Sequence, residues 1–144
     1  MFSYDRNKSL GHLTGLANRL LSNRLARSFR ESGIDMTAEQ WGSLLVLING
    51  GAMTQGQFGE KLCLEKSSVS RLLNGLERRG WIIRKISEDD SRQKLVSVTE
   101  NAVKTAEKCA SIATAVLEEA QKGLSEDERL VCRSFLSRII SNLE

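Results

Sequence analysis

The sequence holds no proline, one histidine, three cysteines and few aromatic residues in 144 positions. Each shortage closes off some functions. With no proline, nothing interrupts a helical reading of the periodic segments. One histidine, no acid pair at suggestive spacing, no phosphate-loop glycines and no nucleophile motif leave nothing to activate a substrate, so an enzyme is the least favoured class. Cys63, Cys109 and Cys132 lie 46 and 23 residues apart, which fits neither zinc-ligand spacing nor a paired disulfide framework. They read as buried thiols, with Cys63, just before the fourth-helix segment, as the alternative candidate for a redox-sensing thiol that would need a neighbouring cation. No metal site and no cofactor are expected.

Long apolar runs are also missing. The longest, Leu44 to Ile48, is far too short to cross a bilayer, and Met1 to Leu10 is polar where a secretory signal needs an apolar stretch. The expectation is a cytoplasmic chain with no membrane partner. What is present, 40% hydrophobic and 27% charged residues, is the balance of a soluble globular protein of one ordinary domain. A net charge of +3 says little, but its distribution says more. Residues 61–94 carry nine Lys/Arg against five Asp/Glu and residues 1–31 carry six against two, while 32–60 hold three acids and no base and 95–144 hold six bases against eight acids.

Leu10, Leu13, Ala17, Leu20, Leu21 and Leu25 recur at helical spacing and predict an amphipathic helix over roughly 8–31, ended by Gly33. Thr37-x-x-Gln40 and Thr54-x-x-Gln57 are capping-box patterns. The first opens a helix with Trp41, Leu44, Leu45 and Ile48, closed by Asn49-Gly50-Gly51; the second opens a short one with Phe58 and Leu62. After a break at Cys63-Leu64, Lys66 to Arg79 places Val69, Leu72, Leu73 and Leu76 on one stripe, and Gly80 supplies the stop. Trp81–Ile86 and Lys94–Val98, rich in β-branched residues and separated by polar Ser87–Gln93, predict a hairpin. Thr99 then caps a helix with a small-residue seam through Val103, Ala106, Ala110, Ala113, Leu117 and Ala120, and Ser125-x-x-Glu128 opens a last amphipathic helix over 126–143.

The fold expected is mainly α with a small β-hairpin wing, a winged helix-turn-helix over 34–99 between N- and C-terminal helices over 1–33 and 100–144.

Function is concentrated in the fourth helix. At 100° per residue its apolar stripe leaves Ser67, Ser70, Arg71, Asn74 and Arg78 clustered on the opposite side. Arg forks onto guanine, Asn onto adenine, and Ser reaches a phosphate or a base edge, so this strip suits a major groove. Its free first-turn amides suit a phosphate, opposed by Glu65 unless that residue turns inward as the cap. The hairpin adds Arg84, Lys85, Arg92 and Lys94, a basic finger in which a tip Arg suits the narrow minor groove and Lys neutralises phosphate. Asp90 is expected to hold Arg92 or an arginine of the fourth helix by a charge-assisted hydrogen bond.

Two stretches, Ser67-Ser68-Val69-Ser70-Arg71-Leu72-Leu73-Asn74-Gly75-Leu76-Glu77-Arg78-Arg79-Gly80-Trp81-Ile82 and Asp90-Ser91-Arg92 leading to Val96-Ser97-Val98-Thr99, resemble the recognition helix and wing of the multiple-antibiotic-resistance (MarR) type of transcriptional regulators. The resemblance covers nearly the whole chain. It implies that Ser67, Ser68, Ser70, Arg71 and Asn74 face the major groove and that Arg92 enters the minor groove of double-stranded DNA. It also implies a bacterial or archaeal regulator, a homodimer formed through the first and last two helices with 1–33 and 100–144 as the dimerisation region, and a pseudo-palindromic operator with half-sites roughly 34 Å apart. Release by a small aromatic or phenolic acid, or by thiol oxidation, is implied as well, with His12, Arg19, Met36 and Trp41 as candidates to line the effector crevice. The alternatives are a winged helix used only to bind proteins, which the Ser- and Arg-rich strip argues against, and, last, an enzyme.

Overall fold

Helix boundaries in this chain follow from local hydrogen-bonding chemistry. The computed structural model describes residues 1–90 and 92–144. It contains α1 (Leu10–Glu31), α2 (Ala38–Gly50), α3 (Gln55–Leu62), α4 (Lys66–Arg78), α5 (Glu100–Ala120) and α6 (Glu126–Leu143), with strands β1 (Met53–Thr54), β2 (Ile82–Ile86) and β3 (Lys94–Val98). All three capping boxes form, at Thr37/Gln40, Thr54/Gln57 and Ser125/Glu128, so each of these helix starts satisfies two otherwise orphaned amides reciprocally. At the end of α1, Gly33 takes φ +76° and the Ile34 N–H donates to Phe29 O at 2.8 Å. The same closure ends α4, with Gly80 at φ +72° and the Trp81 N–H donating to Leu76 O at 3.0 Å. Both are Schellman ends, which only a residue free of Cβ strain makes without cost.

The sheet has one strand more than the sequence predicts. Its order is β1-β3-β2, antiparallel throughout, with Met53 opposite Val96 and Thr54 opposite Leu95. Two residues are too few to show period-2 alternation, and Thr54 carries a helix-start signal at the same time. The expected hairpin is present as β2 and β3, in the register Ile82↔Val98, Arg84↔Val96 and Ile86↔Lys94.

The core gathers Phe29 from α1, Leu44 and Leu47 from α2, Phe58 from α3, Leu73 and Leu76 from α4, Ile82 and Val96 from the sheet, and Ala102 and Cys109 from α5. Helix α5 packs on α1 and α2, its small residues Ala102, Ala106 and Ala113 allowing close approach. Thr99 joins wing to helix: its Oγ1 accepts from the Ala102 N–H at 3.1 Å and donates to Gly80 O at 2.7 Å. Helix α6 contributes no buried residue, and Leu130, Phe135 and Ile140 on it are each more than half exposed. Among the described residues no helix is long and apolar enough to cross a membrane.

Candidate nucleic-acid interface

Helices α3 and α4 are joined by Cys63-Leu64-Glu65 and lie close because Gly59 leaves room for Val69: a Cβ on Gly59 would stand 2.9 Å from Val69 Cγ2. Val69, Leu73 and Leu76 are buried, which turns the opposite strip of α4 outward as the helical period requires. Ser67, Arg71, Asn74 and Arg78 are exposed on it, and Ser68 and Ser70 are half-buried at its edges. Ser68, Arg71 and Arg78 border a groove of about 330 Å³ against Thr37, Glu39 and Gln40 at the start of α2. On the other edge, Gln55 Nε2 donates to Ser70 Oγ at 3.1 Å, across a cleft of about 590 Å³ between α3 and α4 that also reaches Cys63 and Lys66. Gln55 is a residue that sequence reasoning missed; its place in a capping sequence masked its second role.

At the start of α4 the N-cap residue, Glu65, makes no side-chain capping bond. The carboxylate does not turn inward as the cap, and it stands at the helix end that a phosphate would approach.

In the wing, Lys85, Asp90, Arg92 and Lys94 are exposed. Ser91, within the Asp-x-Arg stretch, lies outside the described residues. Asp90 does not hold an arginine side chain: its Oδ1 accepts the Arg92 backbone N–H at 3.0 Å, and its carbonyl accepts the Gln93 N–H at 3.0 Å. A short carboxylate reaches a backbone amide two residues on more readily than a distant guanidinium, so Asp90 shapes the turn. Arg84 also departs from the other wing cations. Strand alternation puts it on the face of buried Ile82 and opposite buried Val96, and its side chain is only 19% exposed. Its Nη2 donates to Asn74 Oδ1 at 2.8 Å, and its Nε lies 3.6 Å from Glu77 Oε2 without a hydrogen-bond partner.

Among the described residues Arg71, Arg78, Lys85, Arg92 and Lys94 have no carboxylate partner, whereas Arg24, Arg27, Arg79, Arg84, Lys104 and Arg129 are paired. Arg79 shows the contrast within one helix end. It donates to Asp35 O at 2.8 Å and Asp35 Oδ2 at 2.9 Å, and lies 5.2 Å from the Trp81 ring centre, so it fastens the loop before α2 to the end of α4.

The four candidates for an effector crevice are not gathered in one place. Met36 is buried beside Cys109 and Trp41 is in the core against Phe29, while His12 and Arg19 are exposed on α1. Two crevices do open between α1 and α5. One, of about 400 Å³, is lined by Ala17, Leu20, Leu21, Arg24, Val116 and Glu119, and the other, of about 180 Å³, includes Trp41 and Leu25. Arg24 Nη2 and Glu119 Oε2 are 3.1 Å apart at the larger one. Ninety-five positions separate these two residues, so no local pattern could have joined them. Of the thiols, Cys109 alone is buried, correcting the expectation for Cys63 and Cys132, and burial raises its pKa and keeps it neutral.

Residues 34–93 match the sequence profile of the MarR family. The chain is 31% identical over 111 residues to the organic hydroperoxide resistance transcriptional regulator of Bacillus subtilis (strain 168), an alignment covering 77% of this chain and 72% of that protein. A cysteine-to-serine variant of MarR from E. coli, complexed with operator DNA, superposes with a TM-score of 0.85 at 23% identity, over 96% of this chain and 99% of that one. BpsR of Bordetella bronchiseptica, solved to explain regulation of its DNA binding by 6-hydroxynicotinic acid, superposes with a TM-score of 0.84 at 20% identity, over 96% and 97%.

Proposed function

The chain belongs to the MarR family of DNA-binding transcriptional regulators, and from that premise we propose that it is a homodimeric repressor reading a pseudo-palindromic operator with α4 and the wing. One observation carries the reading: the exposed strip of α4 and the adjoining wing together present Arg71, Arg78, Lys85, Arg92 and Lys94, none of them held by a carboxylate among the described residues. Unpaired surface cations release condensed counterions from a polyanion without first breaking an internal ion pair. In this assignment Arg71 and Asn74 meet base edges, Ser67, Ser68, Ser70 and Arg78 support them, Arg92 enters the minor groove, and Lys85 and Lys94 neutralise phosphate.

Residues 34–99 form the reading part and residues 1–33 and 100–144 the dimer-forming part. The support is the exposed apolar side chains of α6, Leu130, Phe135, Leu136 and Ile140 among them, and the exposed Leu10, Leu13 and Leu20 of α1, which the protomer leaves in water. A second copy buries these side chains on both protomers at once and sets two α4 helices one duplex turn apart, roughly 34 Å.

A small aromatic acid is the effector class proposed, in keeping with the ligand that regulates BpsR. The crevice between α1 and α5 has apolar walls in Leu20, Leu21 and Val116 and a cation in Arg24, and its size of about 400 Å³ suits such a molecule. The acid's carboxylate displaces Glu119 from Arg24. Selection of bound duplexes from a random pool tests the whole reading. The expected result is an inverted repeat whose binding weakens steeply with salt; equal binding to every duplex at physiological salt rejects it. Within the recovered site, Arg71→Ala is expected to cost about 1–3 kcal/mol and relax one position, and an equal loss on every sequence reassigns Arg71 to phosphate.

A further inference from the structure

We propose that Arg84 is a specificity-determining positioning residue, which fixes the order of acceptor and donor that the Asn74 amide presents to DNA. The inference rests on the reading role of α4 proposed above and adds what selects its base.

An exposed Asn amide has two nearly equivalent orientations, related by a half-turn about its last torsion. They present opposite patterns to a base pair. Adenine offers an N6 donor beside an N7 acceptor, so one amide orientation meets it in full and the reversed one sets N–H against N–H. An Asn free to turn therefore reads weakly.

Arg84 removes that freedom. Its guanidinium carries five N–H donors and no acceptor and does not deprotonate, so only the oxygen end of Asn74 can face it. The contact is Nη2 to Oδ1 at 2.8 Å. The amide nitrogen is thereby turned away from the wing. The guanidinium is itself held in place: it lies on the inner face of β2, opposite buried Val96, with Nε 3.6 Å from Glu77 Oε2, one turn of α4 beyond Asn74. At 19% exposure it is poorly placed to serve as a phosphate clamp, and Lys85, the next residue, points to the open side. The wing thus acts on base reading through α4, separately from any contact it makes with DNA.

The experiment is the random-pool selection repeated with Asn74→Ala, Arg84→Met and Arg84→Lys, with salt-dependent binding and thermal melting of each. Met keeps the apolar stem and loses the donors; Lys keeps a donor and no acceptor. Arg84→Met is expected to relax the same operator position as Asn74→Ala, from roughly 5- to 150-fold discrimination toward unity, with an unchanged salt slope. Arg84→Lys is expected to restore most of the preference. A second comparison is independent of the fold of any one variant: a carboxylate has no ends to exchange, so in an Asn74→Asp background Arg84→Met is expected to leave the preferred base unaltered. If Arg84→Met weakens all sequences equally and lowers the salt slope by about one, Arg84 is a phosphate ligand and the proposal fails. It fails equally if the relaxed position differs from that of Asn74→Ala. A wild-type chain that enriches no site defeats the DNA-reading assignment and this inference together, whereas an enriched site that Arg84→Met reads unchanged defeats the inference alone.

Discussion

Cys63 follows α3 with φ 52° and ψ 44°, and it is the non-glycine residue of positive φ among those described. The turn needs this conformation, because the Leu64 N–H must reach back to Gly59 O at 3.0 Å before α4 can start. A residue with a Cβ in this region costs about 1–2 kcal/mol. Cys63→Gly is therefore expected to raise the melting temperature, by about 1 kcal/mol of stability, and Cys63→Asn by less; calorimetry that finds either variant less stable would show that the thiol contributes packing the turn depends on. The same chemistry at Gly33 and Gly80 is legible in the sequence, where glycine marks the positive φ directly. At Cys63 it is hidden, since a cysteine gives no such signal.

Among the elements, the packing of α3 on α4 leaves no room for a methyl at Gly59. Gly59→Ala would gain about 1 kcal/mol in helix propensity, but its new methyl meets the stiff, buried Val69 at 2.9 Å. Overpacking of this kind costs about 1–3 kcal/mol, so a net loss in urea denaturation is expected, relieved in the Gly59→Ala/Val69→Ala pair relative to Val69→Ala alone. A stabilised single variant would mean that the two helices separate freely. The start of α4 has room for improvement. A shorter carboxylate can reach the first-turn amides that Glu65 leaves uncapped, and Glu65→Asp is expected to add about 1 kcal/mol of stability. Glu65→Ser removes an anion from the same place and is expected to tighten DNA binding in a mobility shift; an unchanged affinity would place the helix end away from the backbone.

For the whole molecule, the proposed assembly rests on the exposed apolar side chains of α6. Phe135 is 59% exposed in the protomer, so Phe135→Glu removes no internal contact of the core. In the proposed dimer it buries a charge without a partner. Sedimentation is expected to show a monomer with unchanged helix content and affinity reduced to that of a single half-site. A variant that stays dimeric would move the interface elsewhere on the chain.

Periodicity and helix-end chemistry depend on residues within a turn or two of one another, and for that reason the six helices, the hairpin and the outward strip of α4 could be read from the sequence with boundaries close to those observed. Which strip residues keep free hydrogen-bonding groups could not. Arg84 on Asn74, Gln55 on Ser70, Arg24 on Glu119 and Arg79 on Asp35 join positions 10 to 95 residues apart. Such pairs exist only once packing has brought their elements together, because the free energy of a side-chain contact depends on distance in space and leaves no periodic mark along the chain.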